Sequence, residues 1–173
     1  MRRLLFVALA CLALAGCWYG DGLYSPSDAR PVIPPGVYRA TAEDEKPKVY
    51  RVSIEPDGMT KLSGGETSDL MGFTPLDPAR GTFVAWLPLK DKEPAERGEM
   101  QIYLLMMRIG PDEYRIYPPE CKDATAELAR KNGATVEEGT SPACRFTTRA
   151  DVEKALRLLP LDDHSASTLK RVP

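Results

Sequence analysis

Val49-Tyr50-Arg51-Val52-Ser53-Ile54-Glu55 sets Tyr50, Val52 and Ile54 on one side of an extended chain and Arg51, Ser53 and Glu55 on the other. Side chains of a strand repeat every two residues, so this alternation marks a half-buried strand. Asp57-Gly58 follows with the residue types that hairpin turns demand, and Met59 to Leu62 is expected to return antiparallel. Further on, Leu70 to Leu76 reads as a weaker strand or loop, interrupted by Pro75 and closed by Pro78. Thr82 to Leu87 and Gln101 to Ile109 are apolar on both faces: Phe83, Ala85 and Leu87 oppose Val84 and Trp86, and Leu104 to Met107 are consecutive. Strands without a polar side belong in a sheet centre covered on both sides. Gly110-Pro111-Asp112 then turns the chain into Tyr114 to Tyr117, closing a hairpin.

The period changes in the last third. Asp123 is placed to cap a helix running to about Lys131, with Ala124, Leu128 and Ala129 inward and Asn132-Gly133 as its stop. Thr148, with Asp151 following it, has the form of a capping box with a shortened acid. Val152, Ala155, Leu156 and Leu159 then recur at helical spacing until Pro160 ends the segment. Strands first and helices last predict the α+β class: an antiparallel β-meander with two C-terminal helices packed on one face.

At 173 residues the chain has room for one ordinary domain behind an exported leader. Hydrophobic residues at 43% and charged residues at 28% exclude wholesale disorder. A formal net charge of -2 supplies no basic face, so nucleic acid is not an expected partner. The single histidine, His164, excludes a His-rich metal site, and no cofactor or metal is expected.

Arg2 and Arg3 precede an apolar run from Leu4 to Leu14, the charged and apolar parts of an export signal. The run is too short to span a bilayer as a helix, which takes ~20 apolar residues. Leu14-Ala15-Gly16-Cys17 then resembles the lipobox of bacterial lipoproteins. The resemblance covers residues 1–17 alone. It implies that residues 1–16 are removed, that the Cys17 thiol carries a diacylglyceryl group, and that the new amino terminus is acylated. One acyl chain binds a membrane marginally, whereas two or three hold a protein there. The lipid bilayer is therefore the expected partner, through acyl groups on Cys17, with Trp18 and Tyr19 at the headgroups. Trp18 stands where an aspartate in some lipoproteins signals retention at the inner membrane, so the resemblance implies the outer membrane facing the periplasm. From Gly20 to Pro35 the composition shifts to Gly, Ser, Asp and Pro, which reads as a tether. The expected organisation is thus a cleaved signal peptide over 1–16, a lipidated N-terminus and flexible tether over 17–35, one α+β periplasmic domain over 36–162, and a polar tail over 163–173. On this reading, removing Gly20 to Pro34 leaves the domain folded.

Cys121 and Cys144 are an even pair in an exported chain, and an oxidising compartment favours a disulfide between them. The loop they close contributes roughly 3 kcal/mol in the chain-entropy account. Ser167-Thr168-Leu169-Lys170 matches the Ser-x-x-Lys pattern of penicillin-recognising enzymes, but their two further motifs are missing and the match lies in the polar tail. Acids cluster at Glu43, Asp44 and Glu45, at Asp91, Glu93 and Glu96, and at Glu137 and Glu138. Paired acid catalysis needs two carboxyl groups facing each other across a cleft, whereas the first two clusters are interspersed with Lys46, Lys48, Lys90, Lys92 and Arg97 and read as solvated loops. Met106 and Met107 are strand neighbours that point to opposite faces, so with Met100 they read as core and not as a copper site. Tyr103, Arg108, Tyr114, Arg115 and Tyr117 are the candidate binding face, because tyrosine and arginine offer both area and hydrogen bonds.

No complete catalytic set is legible. The sequence points to a non-catalytic binding module on an envelope lipoprotein, meeting an envelope protein or a cell-wall partner. Two alternatives stay open: a small-ligand or lipid carrier in a curved sheet, and a carboxylate-dependent hydrolase.

Overall fold

The structure is a computed structural model that describes residues 16–43, 45–65, 67–89, 100–139 and 142–173. The acids Asp44, Asp91, Glu93 and Glu96, and residues 1–15, which read as an export signal, lie outside the described residues. In chain order the strands are β1 (Trp18–Asp21), β2 (Gly36–Thr41), β3 (Lys48–Ile54), β4 (Thr60–Gly64), β5 (Thr67–Asp77), β6 (Thr82–Pro88), β7 (Met100–Gly110), β8 (Glu113–Tyr117), β9 (Thr135–Glu137), β10 (Ala143–Phe146) and β11 (Ser167–Arg171). The helices are α1 (Asp123–Lys131) and α2 (Arg149–Arg157), with 3-10 turns at Pro26–Asp28 and Pro78–Arg80. The chain forms two compact units where one domain was expected. The first comprises the N-terminal stretch to Tyr24, Leu87–Tyr103 and Pro118–Pro160; the second comprises Ser25–Trp86, Leu104–Tyr117 and Leu161–Pro173.

The second unit is a closed, eight-stranded antiparallel barrel, which overturns the open meander with helices on one face. Strands β2 to β8 pair with their neighbours in turn, and β11 fits between β8 and β2. The residues from Ser167 to Arg171, read as a polar tail, are thus the strand that closes the barrel. Leu169 is the buried side chain of β11, opposite Tyr114 of β8 on one side and Ala40 of β2 on the other. The remaining side chains of β11 are polar, so nothing in it resembles the apolar runs that mark central strands. Both helices belong to the first unit and neither is part of the barrel's own unit, where an α+β meander would have placed them.

Register explains how these strands share a core. Tyr38 faces Tyr50, Val52 faces Leu62, and Thr60 faces Met71, each pair pointing to one side of the sheet. All six are buried. The segment expected to be weak, Leu70 to Leu76, lies inside β5, which runs for 11 residues. Pro75 is tolerated because the register shifts at Pro75 to Asp77, a bulge where a backbone N–H can be spared. Gly72 lies directly across from Trp86, and a Cβ there would fall 2.0 Å from the indole, so glycine is what lets the ring lie across β5.

The tether reading of residues 17–35 is also overturned. Trp18–Asp21 is a strand, and Tyr24, Ala29 and Ile33 are buried. Within the second unit, Arg30 N–H donates to the Phe73 carbonyl at 2.8 Å and the Thr74 hydroxyl donates to the Asp28 carbonyl at 3.1 Å. The Tyr114 and Tyr38 hydroxyls donate to the carbonyls of Val32 and Pro34, at 3.1 and 2.9 Å. Ile33, between those carbonyls in sequence, has no solvent exposure. Proline has no N–H to offer, so a proline-rich segment is held through its carbonyls and its few apolar side chains and carries no periodic pattern.

In the first unit, β1 runs antiparallel to the start of β7 and parallel to β10, and β10 pairs with β9. Trp18 is fully buried with its ring 5.2 Å from that of Phe146, so it is core and not a headgroup aromatic. Helix α2 buries Val152, Ala155 and Leu156 as its spacing requires, and the Thr148 hydroxyl accepts the Asp151 N–H at 3.2 Å. For α1 the cap lies one residue earlier than expected: Lys122 is the N-cap and Asp123 the first helical residue.

Candidate functional site

The candidate site lies at one end of the barrel, where the end of β11 is flanked by the start of β2 on one side and the tight turn from β7 to β8 on the other. There Val37, Asp112, Glu113, Lys170, Arg171 and Val172 line an open cleft of about 730 Å³. Arg171 sits opposite Tyr38 in register, and its Nη1 is 3.7 Å from Asp112 Oδ1 while Nη2 donates to the Pro35 carbonyl at 3.2 Å. Gly36 makes room for it, since a Cβ there would stand 3.0 Å from Arg171 Nε. Lys170 Nζ lies 3.0 Å from Glu113 Oε2. The two pairs are solvent-facing, so each contributes at most ~1 kcal/mol to stability. They leave a lip of alternating sign flanked by Val37 and Val172, chemistry suited to holding a partner that carries both charge signs beside apolar groups. Arg171 is not singled out by the sequence, and Lys170 only within the Ser-x-x-Lys match, because both fall in a segment that reads as a tail. The available signal was the alternation of Tyr38 and Ala40 against Val37, Arg39 and Thr41, which would have supplied a strand for β11 to pair with.

The five residues read as one binding face do not share a face. In the second unit, Arg108 is opposite Tyr114 while Met107 is opposite Arg115 and Leu105 opposite Tyr117, which places Arg108 and Tyr114 on one side of the sheet and Arg115 and Tyr117 on the other. Tyr114 and Tyr117 are buried. The Tyr117 hydroxyl donates to Asp163 Oδ1 at 3.0 Å, and Arg115 Nη1 lies 2.8 Å from the same oxygen. These two donors hold the Asp163 carboxyl below its ordinary range, Tyr117 contributing most. Tyr103 belongs to the first unit, where its buried ring meets Tyr24 edge-on at 5.8 Å. Burial raises the phenol pKa values of both. Tyr24 is fixed from several directions: its N–H donates to Gln101 Oε1 at 3.0 Å, its carbonyl accepts from Gln101 Nε2 at 2.6 Å, and the Arg149 guanidinium lies 4.7 Å from its ring centre. These tyrosines are structural.

His164 is drawn into an exposed ion pair, with Nδ1 2.9 Å from Glu43 Oε2. The hydrogen bond and charge of Glu43, aided by Asp162 and Asp163, raise the imidazole pKa above 6.5. A group whose folded pKa is raised stabilises the fold fully below its unfolded value and loses that contribution as pH rises through the folded one. This contact is therefore complete below about pH 6.5 and fades above it. Glu43→Gln is expected to move the His164 midpoint downward in an NMR titration, and an unchanged midpoint would show that Glu43 does not hold the imidazolium.

In the first unit Cys121 and Cys144 form the disulfide, with Cα atoms 5.4 Å apart. Cys17 is a buried free cysteine beside them: it bridges Glu120 on one side, and its carbonyl accepts the Cys144 N–H at 3.1 Å on the other. Among the described residues no group of three or more His, Cys, Asp or Glu side chains is arranged to hold a metal ion. Comparison with protein-family models, curated proteins and solved structures finds no match.

Proposed function

We propose that the chain is an envelope lipoprotein, anchored through Cys17 in the outer membrane facing the periplasm, whose barrel is a non-catalytic binding module. The cleft at the start of β2 and the end of β11 carries this reading, since it offers both charge signs and an apolar edge in one concavity. The partner is an envelope protein or a cell-wall polymer. A lipid carried inside the barrel draws less support, because Tyr38, Val52, Leu62, Met71 and Tyr114 take up inward space. A carboxylate-dependent hydrolase draws less again, because Asp112 and Glu113 each already face a cation.

Two experiments test the two halves. Cys17→Ala should abolish fatty-acid labelling and release the protein from membranes; continued labelling removes the anchor from the proposal. For the cleft, a photo-crosslinking residue at position 172 should give a discrete adduct in native envelopes, and the same residue at position 61 on β4 should not. No adduct from position 172, or the same adduct from both positions, defeats the binding surface.

A further inference from the structure

The main chain on both sides of the lipobox cleavage point is already part of the folded first unit. The Gly16 carbonyl accepts the N–H of Cys121 at 2.5 Å, and the Cys17 carbonyl accepts the N–H of Cys144 at 3.1 Å. The two donors are the two halves of the disulfide, and both residues are completely buried. Trp18 follows in register with Cys144, and Tyr19 with Ile102, so no slack separates Cys17 from the sheet.

Processing at this point removes one of those partners. Cleaving the peptide bond before Cys17 takes away the Gly16 carbonyl and leaves an α-ammonium, which has only protons to donate. The Cys121 N–H is then a buried donor without an acceptor, a costly state for a backbone group. Transfer of a fatty acyl group from a lipid ester to the Cys17 amine, which leaves the lipid an alcohol, makes a new amide. Its carbonyl carbon is bonded to the Cys17 nitrogen where the Gly16 carbonyl carbon was, so its oxygen has the same bond available to it.

We propose that the disulfide-linked pair Cys121 and Cys144 forms a socket for the N-acylated Cys17, in which the Cys121 N–H binds the fatty-amide carbonyl and the Cys144 N–H binds the Cys17 carbonyl. The proposal rests on acylation of Cys17 and adds that the fold distinguishes the N-acylated form from the free amine. It also places the anchor against the body of the first unit: the sulfur is one short side chain, roughly 3 Å, from a Cα held in the sheet. The headgroup layer of one leaflet is about 5–8 Å deep. Glu120 and Lys122, next to the socket in sequence, therefore lie at the level of the headgroups.

The test compares processed full-length protein in detergent micelles in two forms, one with the acyl amide and one with a free amine, made in a strain that lacks N-acylation. Amide hydrogen exchange is read at Cys121 and Cys144, and the mass of the N-terminal peptide is measured on the same samples. Exchange at Cys121 is expected to be at least tenfold faster in the free-amine form, with Cys144 equally protected in both. Inserting Gly-Ser-Gly-Ser between Cys17 and Trp18 should make Cys121 exchange fast in the acylated form too. Equal protection of Cys121 in the free-amine and acylated forms overturns the socket while leaving the anchor intact. An N-terminal peptide without acyl mass overturns the anchor and the socket together.

Discussion

Ending the chain after Ala166 is expected to abolish the cooperative unfolding transition of the barrel. The truncation removes β11, whose Ser167 to Lys170 pair with β8 and whose Thr168 to Arg171 pair with β2. Both neighbours then become open edges with unpaired N–H and C=O groups, and among the described residues no other strand pairs with those edges. Leu169 is lost as well, and deleting a buried leucine side chain alone costs about 2–5 kcal/mol. The contacts of Arg171 N–H with the Asp112 carbonyl, at 3.0 Å, and of Val172 N–H with the Val37 carbonyl, at 2.8 Å, go with it. A domain whose whole stability is about 5–15 kcal/mol cannot absorb that sum. Thermal melts followed by circular dichroism should lose their sigmoid, and size-exclusion chromatography should show aggregates joined through the exposed edges. A synthetic peptide of residues 167–173 added during refolding is expected to restore the transition. A truncated protein that melts cooperatively without the peptide would mean that the barrel does not depend on closure.

The difference between what the sequence discloses and what the fold contains follows from where each strand gets its energy. Strand β3 alternates cleanly because one of its faces is buried and the other wet, and the turn at Asp57-Gly58 is local chemistry. Val84 to Leu87 in β6 and Ile102 to Met106 in β7 are consecutive apolar residues, and all of them are buried, so both faces are covered there. Both helices are visible as well, α2 through its cap at Thr148 and α1 through its stop at Asn132-Gly133, because caps and stops are local chemistry. What is not local is closure. Strand β11 buries one leucine, and its worth lies in backbone pairing with β2 and β8, partners distant in sequence. Backbone groups are the same in every residue, so nothing in the side chains of β11 advertises the role.

The candidate site is hidden for the same reason. Lys170 and Glu113 are far apart in the chain and adjacent only because β11 lies against β8. The five-residue tyrosine and arginine face failed on a parity that is legible in hindsight: Tyr114 and Arg115 are neighbours in a strand and must point oppositely. The disulfide was legible because Cys121 and Cys144, read as an even pair in an exported chain, have few alternatives. The surroundings of Cys17 were not, because a lipobox describes what processing enzymes recognise and says nothing of the strand that the next residues form.

Replacing Ser25 to Pro35 with glycine and serine at unchanged length is expected to destabilise the barrel by more than about 5 kcal/mol. A tether is defined by reach, so a flexible replacement of equal length preserves it, and stability should then stay constant. A structural segment is defined by what it touches. Here the replacement deletes Ile33, completely buried, for about 2–5 kcal/mol, and Ala29, also buried, for less. It also exchanges prolines at positions 26, 31, 34 and 35 for residues with a freer unfolded state, which widens the entropy lost on folding. The Tyr114 and Tyr38 hydroxyls keep carbonyl acceptors only if the new backbone follows the old path, and a glycine-rich chain has little reason to do so. Chemical denaturation of the two proteins measures the difference directly, and Ile33→Ala alone should reproduce about half of it. Equal midpoints for the native and replaced proteins would restore the tether and remove the segment from the barrel core. The predicted fall would instead fix residues 25–35 as part of the barrel's own folded unit, held by Ile33 and by the carbonyls that Tyr38 and Tyr114 bind.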